Sequence, residues 1–542
     1  MLQISYLYDI VLLYLNKEET IMKKTALVTL ASLLVVPLTS CGPTVYPDPV
    51  KIASGEDEAL KLVDNKYILD FYAINDIHGS AVETKDSTGA IDEMGMERIG
   101  AFFRAKREEN KAGTFFMSTG DAFQGSADSN ITKGKMMAEM FNYLDFTSNT
   151  VGNHEFDWGI DTLINSLEEV DAQFPLLACN IVDKKKTADT GTTVYADWAQ
   201  PYVTLERGIG EDTLKIGIIG SIAIGLEKSI LSSAVRDYSF EEPLNRVKEI
   251  SESLRNDGCD VIIYSTHGDA GQGKGGVINA QIPTYVDAIF TGHAHREYND
   301  VMPRLDGTGQ PTGVSIPVVQ GASNGKIISN ITLKIDPTDN SVVERKAVLL
   351  TPKDVEPFGK DQSMASIYNK YYDKDIAPIK NERIGRVDRD KTLDDIGFFT
   401  AKSMLKHARI GDPDIVAAFT NKSGGVRATF SKGNITYGDV YKSLPFDNNL
   451  VIIEAKGNTI REITSKMQGS AYLSYGANYD IEIPRGSLQA DTLYKIVLVS
   501  YMAEHDSLKD IVDASTIYES LPEYPRDIVA QAFRDSGNPM DK

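Results

Sequence analysis

Ile68-Leu69-Asp70-Phe71-Tyr72-Ala73-Ile74-Asn75-Asp76-Ile77-His78-Gly79 is an apolar, aromatic-rich run that breaks off into a short polar loop. The pattern returns along the chain. Thr114–Ser118 precedes Gly120-Asp121-Ala122-Phe123-Gln124-Gly125, Val261–Ser265 precedes Thr266-His267-Gly268, and Val286–Phe290 precedes Thr291-Gly292-His293-Ala294-His295. Leu214–Ile219 is a further run of the same kind, and amphipathic stretches such as Met96–Glu109 and Glu242–Asn256 lie between the runs. Short buried strands alternating with helices predict a layered α/β domain over 67–350.

In an open α/β sheet, the loops at the carboxyl ends of the strands gather on one edge. With Gly152-Asn153-His154-Glu155-Phe156-Asp157 included, five distant segments would deliver Asp, Asn and His to one place. Imidazole and carboxylate together suit Zn²⁺, Mn²⁺ or Fe²⁺ without any thiolate. Two cations need a shared carboxylate, and as a pair they can clamp the attacking and leaving oxygens of a phosphoryl transfer. Each motif alone has a plain structural explanation as a cap, a turn or a core histidine. Their combination carries weight because the 542-residue chain has only seven histidines, and five of them fall in these loops.

Composition narrows the class further. Lys and Arg number 56 against 77 Asp and Glu, a net charge of −21. Such a surplus argues against a nucleic-acid polymer as partner, which requires a basic face. An anionic small molecule would instead need a local positive centre, which two dications supply. Three cysteines are too few for a disulfide framework. Cys179 and Cys259 read as small core residues. Asp354–Lys380 carries apolar residues at helical spacing and predicts a linker helix over 351–384. Residues 385–527 then mix a helix (Asp395–His407) with strands (Ile415–Phe419, Leu450–Glu454, Tyr494–Ser500), a second α+β unit.

At the amino end, Met22-Lys23-Lys24, the apolar run Ala26–Leu38 and Leu38-Thr39-Ser40-Cys41-Gly42 form a signal-peptide pattern. Its tail resembles the lipobox of bacterial lipoproteins, which implies lipidation of Cys41 and an anchored protein in the extracytoplasmic cell envelope. Residues 1–21 then read as a spurious upstream extension, 22–41 as the leader and 42–66 as a tether.

The order D-x-H, G-D-x-x-Q-G, G-N-H-E-F-D, T-H and G-H-x-H resembles the calcineurin-like metallophosphoesterases. More narrowly it is similar to the bacterial 5′-nucleotidase / UDP-sugar hydrolase / 2′,3′-cyclic phosphodiesterase family. That resemblance implies a four-layer α/β/β/α catalytic domain followed by a separate α+β nucleotide-recognition domain. It implies two divalent metal ions (Zn, Mn, Co or Fe), one held by Asp76, His78, Asp121 and His295. The other would be held by Asp121, Asn153, His267 and His293. It makes His154 the residue that stabilises the phosphoryl transition state, with Asp157 orienting its imidazole, while a hydroxide bridging the metals attacks phosphorus.

The same resemblance assigns nucleotide contacts to Gly424, Gly425 and Arg427 in Asn421-Lys422-Ser423-Gly424-Gly425-Val426-Arg427, and to Phe446, Asn448 and Tyr501. Arg389 and Asp506 are weaker matches. The chain departs from the family at two places. Asn421 stands one residue farther from Arg427 than the family asparagine does, and Ala503-Glu504-His505-Asp506-Ser507-Leu508 replaces the glycine-rich A-x-G-G-D-G. The expected activity is phosphate release from extracytoplasmic nucleotides. UDP-sugar or cyclic-nucleotide hydrolysis at the same site is the alternative, and a non-catalytic nucleoside-binding lipoprotein the more distant one.

Overall fold

The structure is a computed structural model. It describes residues 58–541 except 211, 272–277, 422–424, 467–470, 476–487, 505–507, 509–515 and 522. The upstream extension, the leader with Cys41, most of the tether, Gly424 and Asp506 therefore lie outside the described residues.

Two mixed sheets form the centre of the catalytic domain. In the first, the strands run Val342–Leu350, Ile328–Ile335, Lys66–Ile74, Thr114–Ser118, Ser148–Thr150 and Leu176–Leu177. In the second, the order is Tyr298–Leu305, Pro311–Gln320, Ala288–Phe290, Val261–His267, Asp212–Ile222 and Tyr202–Ile209. The strands that feed the polar loops pair in parallel: Lys66–Ile74 with Thr114–Ser118, and Val261–His267 with Asp212–Ile222 and Ala288–Phe290.

Strand alternation explains the layers. Leu69, Phe71 and Ala73 point into a core shared with Ile216, Ile218, Val261 and Ile263 of the other sheet. Their neighbours Tyr72 and Ile74 point the opposite way, onto the helices Gly95–Glu109 and Lys135–Leu144. In the second sheet Ile262 and Tyr264 face outward to Val247, Ile250 and Leu254 of the helix Leu244–Asn256. Each strand is thus apolar on both faces, and the result is helix, sheet, sheet, helix. Cys179 and Cys259 are buried free thiols in the outer of these cores.

The boundaries differ from the sequence expectation at three points. Leu60 is buried in the inter-sheet core and Leu62–Val63 pairs with Lys66–Tyr67, so the folded body starts within the expected tether. The 351–384 segment is not one linker helix. It is broken into Pro352–Val355, Gln362–Tyr371, a wide turn Tyr372–Ile376 and Ala377–Lys380. Its Met364, Ile367, Tyr371 and Ile376 complete the catalytic core, and Asp361 caps the middle helix while binding Arg104 and Tyr143. Periodicity correctly identified the buried face but could not say which core it fills. At the other end, the helix Pro525–Ser536 runs past residue 527 and buries Val529, Ala530 and Phe533 in the second domain.

That second domain has a mixed sheet in the order Ala471–Tyr475, Ile415–Asn421, Leu493–Val499, Leu450–Lys456 and Thr516–Leu521. The long helix Leu393–Gly411 packs on it through Met404, Leu405 and Ala408. Among the described residues, no helix is long and apolar enough to cross a membrane.

Candidate dinuclear metal site

The polar loops do meet. Asp76, His78, Asp121 and His295 place one ligand atom each within 4.8 Å of one another, and so do Asp121, His267 and His293. Asp121, 1% exposed, belongs to both groups. Asn153 joins the second through its Oδ1, 3.2 Å from His267 Nε2 and 3.0 Å from His293 Nδ1.

Backbone contacts determine which nitrogens face the cluster. His78 Nδ1 donates to the Gln124 carbonyl at 2.9 Å, and His267 Nδ1 donates to the Thr119 carbonyl at 2.8 Å. A carbonyl can only accept, so both rings carry their proton on Nδ1 and turn Nε2 inward. His78 Nε2 then lies 3.0 Å from His295 Nε2. His267 Nε2 lies 3.2 Å from Asp121 Oδ2, and His295 Nε2 lies 3.3 Å from Asp76 Oδ1. Lone pairs and carboxylate oxygens converging this closely repel unless a proton or a cation sits among them, and N₂O₂-type donor sets of this kind fit divalent metals.

The electrostatics agree. Burial pushes His78 and His293 down to about 4, so both are neutral ligands at neutral pH. Burial penalises the charge of Asp76 and Asp121, but the facing imidazoles outweigh it and hold both carboxyls below the usual range. Without a cation, burial likewise disfavours a charged His267, yet Asp121 raises it to about 9, a proton standing where a metal would.

The backbone is bent to reach this geometry. Asp76, His78, Asp121, His293 and His295 all have positive φ, between 48° and 76°. Such conformations cost about 1–3 kcal/mol each in a non-glycine residue and persist only where the surroundings enforce them. Three buried groups provide the enforcement. Asn75 bonds Asp76 Oδ2 at 2.7 Å and exchanges bonds with Gly321. The Glu155 carboxylate, 1% exposed, accepts from the backbone N–H groups of Asp121, Ala122 and Gly152 at 2.6–2.9 Å. Burial and Asp121 push the Glu155 carboxyl up to about 7, against the pull of those donors. At Gly152 a Cβ would lie 2.3 Å from Asp121 Oδ1, so only glycine fits. Nothing in the sequence assigns a role to Asn75 or Glu155. Both stand inside the quoted motifs, but Glu155 reaches backbone N–H groups and Asn75 reaches the distant Gly321 backbone as well as Asp76, which no spacing reveals.

His154 stands beside the cluster. Its backbone N–H donates to Asp121 Oδ1 at 2.8 Å, and its ring Nδ1 meets Asp157 Oδ2 at 2.8 Å. Burial alone would lower the imidazole, but Asp157 and then Asp121 raise it to about 10. Burial also lifts Asp157, and the imidazolium opposes that. Because the folded-state value of His154 is raised, the pair's stabilisation is complete below the unfolded value near 6.5 and is lost as pH rises through about 10. In chelator-treated protein, the unfolding-midpoint advantage of wild type over His154→Gln is therefore expected to shrink between pH 7 and pH 10.5. A constant difference across that range in urea or thermal melts would contradict the assignment.

The second domain reaches the same place. The Phe446 ring stacks near His154, centroids 6.2 Å apart and planes at 23°, and the Arg427 guanidinium lies 5.1 Å from the Phe446 centroid. Burial lowers Arg427, and Tyr501 is close enough to influence its charge. Asn448 follows two residues after Phe446 on the same loop and is half-buried. Gly425 lies against Asn421, where a Cβ would be 2.4 Å from the Asn421 carbonyl oxygen. Arg389 is not part of this group. Its exposed guanidinium binds Asp395 at 3.0 Å and the Asp390 carbonyl.

Comparison with known proteins identifies both domains. The calcineurin-like phosphoesterase family matches residues 69–297, and the 5′-nucleotidase C-terminal domain matches residues 375–512. The chain thus carries a calcineurin-like phosphoesterase domain followed by a 5′-nucleotidase C-terminal domain. NAD 5′-nucleotidase of Haemophilus influenzae is 23% identical to this phosphoesterase over 76% of the chain and 75% of its own length. Endonuclease YhcR of Bacillus subtilis is 26% identical over 80% of the chain, which spans only 36% of that longer protein. The crystal structure of a Thermus thermophilus 5′-nucleotidase precursor shares the fold with a TM-score of 0.66 at 20% identity. The match covers 87% of this chain and 97% of that one.

Proposed function

We propose that this phosphoesterase uses two divalent cations to release phosphate from nucleotides outside the cytoplasm. The observation that carries the reading is a shared carboxylate, Asp121, with the base-sized Phe446 ring stacked over the adjacent His154. Asp76, His78, Asp121 and His295 would hold one cation, and Asp121, Asn153, His267 and His293 the other. Bound there, Zn²⁺, Mn²⁺, Co²⁺ or Fe²⁺ would supply Lewis acidity to phosphate oxygens and to water.

The protein's own groups do the rest. Asp157 binds His154 Nδ1, which leaves Nε2 to stabilise negative charge on the phosphoryl group and to protonate the departing oxygen. Phe446 and Tyr501 would sandwich the base, with Arg427 and Asn448 supplying polar contacts, so substrate choice rests with the second domain. The net charge of −21 fits this cation-dependent capture of an anion and disfavours a nucleic-acid polymer as substrate. Lipidation at Cys41 would keep the enzyme at the envelope, where nucleotides cannot cross the membrane until dephosphorylated.

The test is to strip metal with a chelator, restore Mn²⁺, Zn²⁺ or Co²⁺ singly, and measure phosphate release from AMP, UMP, UDP-glucose and a 2′,3′-cyclic nucleotide. Metal-restored release from the monophosphates is the expected result. Preference for UDP-glucose or the cyclic substrate would shift the reading to the alternative esters, and inactivity on all four would overturn the nucleotide class.

A further inference from the structure

Phe446 sits on a loop, 445–449, that is neither helix nor strand and whose far end, Asn449, exchanges bonds with Ser500. The residue that fastens this loop comes from far along the chain. Arg526 lies in the first turn of the helix Pro525–Ser536 and is 5% exposed. One arm of its guanidinium donates to the carbonyls of Pro445 (3.3 Å) and Phe446 (3.1 Å), and the other arm binds the Asp447 carboxylate. Three consecutive residues centred on Phe446 are thus held by one planar fork. The Tyr441 and Tyr524 rings lie 4.2 Å and 4.7 Å from the guanidinium carbon and hold the fork itself in place. Its Nε–H has no acceptor among the described residues, and Tyr437 is close enough to interact with its charge as well.

The loop also touches the catalytic domain. Asn130 Nδ2 reaches the same Pro445 carbonyl at 3.4 Å, and Lys133 reaches Asp447 at 3.4 Å. The Asp447 carboxylate therefore lies between Arg526 of its own domain and Lys133 of the other. A ring that is to receive a base must be pre-positioned, because each stacking contact is lost if the ring swings away.

We propose that Arg526 is a positioning residue for nucleotide binding. It clasps the 445–447 backbone so that Phe446 is presented beside His154, and it governs affinity for substrates with a base while leaving phosphoryl chemistry untouched. This rests on the nucleotide reading above. Lysine, whose three donors radiate from one nitrogen, cannot span two carbonyls and a carboxylate as a planar fork does.

The experiment compares wild type, Arg526→Lys and Arg526→Met, each metal-loaded and each checked for an unchanged metal content. KM for AMP is expected to rise about tenfold in Arg526→Lys and further in Arg526→Met, with kcat held within about twofold. Hydrolysis of p-nitrophenyl phosphate, which has no base, is expected to stay at the wild-type level. Amide hydrogen exchange at Phe446, Asp447 and Asn448 is expected to accelerate while the Leu450–Lys456 strand stays protected. Unchanged KM together with unchanged exchange would overturn the proposal. So would a parallel loss on both substrates accompanied by exposure of the whole domain. If wild type does not hydrolyse AMP, the nucleotide reading fails by that result alone. The exchange measurement then still decides the clasp, with unchanged rates refuting it.

Discussion

Asp121→Ala is expected to abolish binding of both cations and bring phosphate release to background. Asp121 is the only residue common to the two donor groups, and its Oδ2 lies 3.2 Å from His267 and 3.9 Å from His78. Losing a residue that merely orients a ligand costs roughly 10–100-fold in metal affinity. Loss of a carboxylate common to both sites should exceed that at each of them. The substitution also leaves the His154 backbone N–H without its 2.8 Å acceptor. Metal content by elemental analysis after dialysis is the decisive measurement, with circular dichroism to show that the domain still folds. Asp121→Asn keeps the shape and one acceptor oxygen and should fall between. Retention of two metals by Asp121→Ala would refute the shared-carboxylate site.

His154→Ala should behave in the opposite way. None of the donor groups includes His154, so both metals should remain while turnover falls by on the order of 10²–10⁴, the usual contribution of a positioned acid–base group. Asp157→Asn should lose less, because it removes the charge that raises the ring but keeps an acceptor oxygen at the 2.8 Å contact and leaves the ring in place. In the pH–rate profile, His154→Ala should also lose the alkaline limb set by the ring, whereas Asp157→Asn should keep that limb but move it to lower pH. Metal loss in His154→Ala equal to that in Asp121→Ala would erase the division between metal holding and catalysis.

The two substitutions divide along the line between what a sequence displays and what it hides. Strands such as Lys66–Ile74 and Val261–His267 are visible because both faces are apolar and the run stops at a polar loop. Gathering those loops on one edge follows from parallel topology, which brings Asp76, Asp121 and His267 together without any local signal. The supports are another matter. Glu155 acts on nearby backbone groups, Asn75 on the backbone of distant Gly321, Arg526 on a loop about eighty residues earlier, and the stacking of Phe446 near His154 depends on how two domains meet. The 351–384 stretch shows the same limit. Its buried face was readable, but its breaks and its membership in the catalytic core were decided by partners such as Arg104 and Tyr143.

The left-handed backbone of Asp76, His78, Asp121, His293 and His295 bears on how the enzyme acquires its ions. His78 and His295 approach across 217 residues of chain, and none of the five would hold its shape in a short peptide. A nascent chain therefore has no competent chelate to fill, and the site comes into being only when both sheets have closed. Until those ions exchange, occupancy follows whichever divalent ions are abundant where folding finishes, rather than where the chain is made. A purified sample would report the history of its refolding as much as any intrinsic preference.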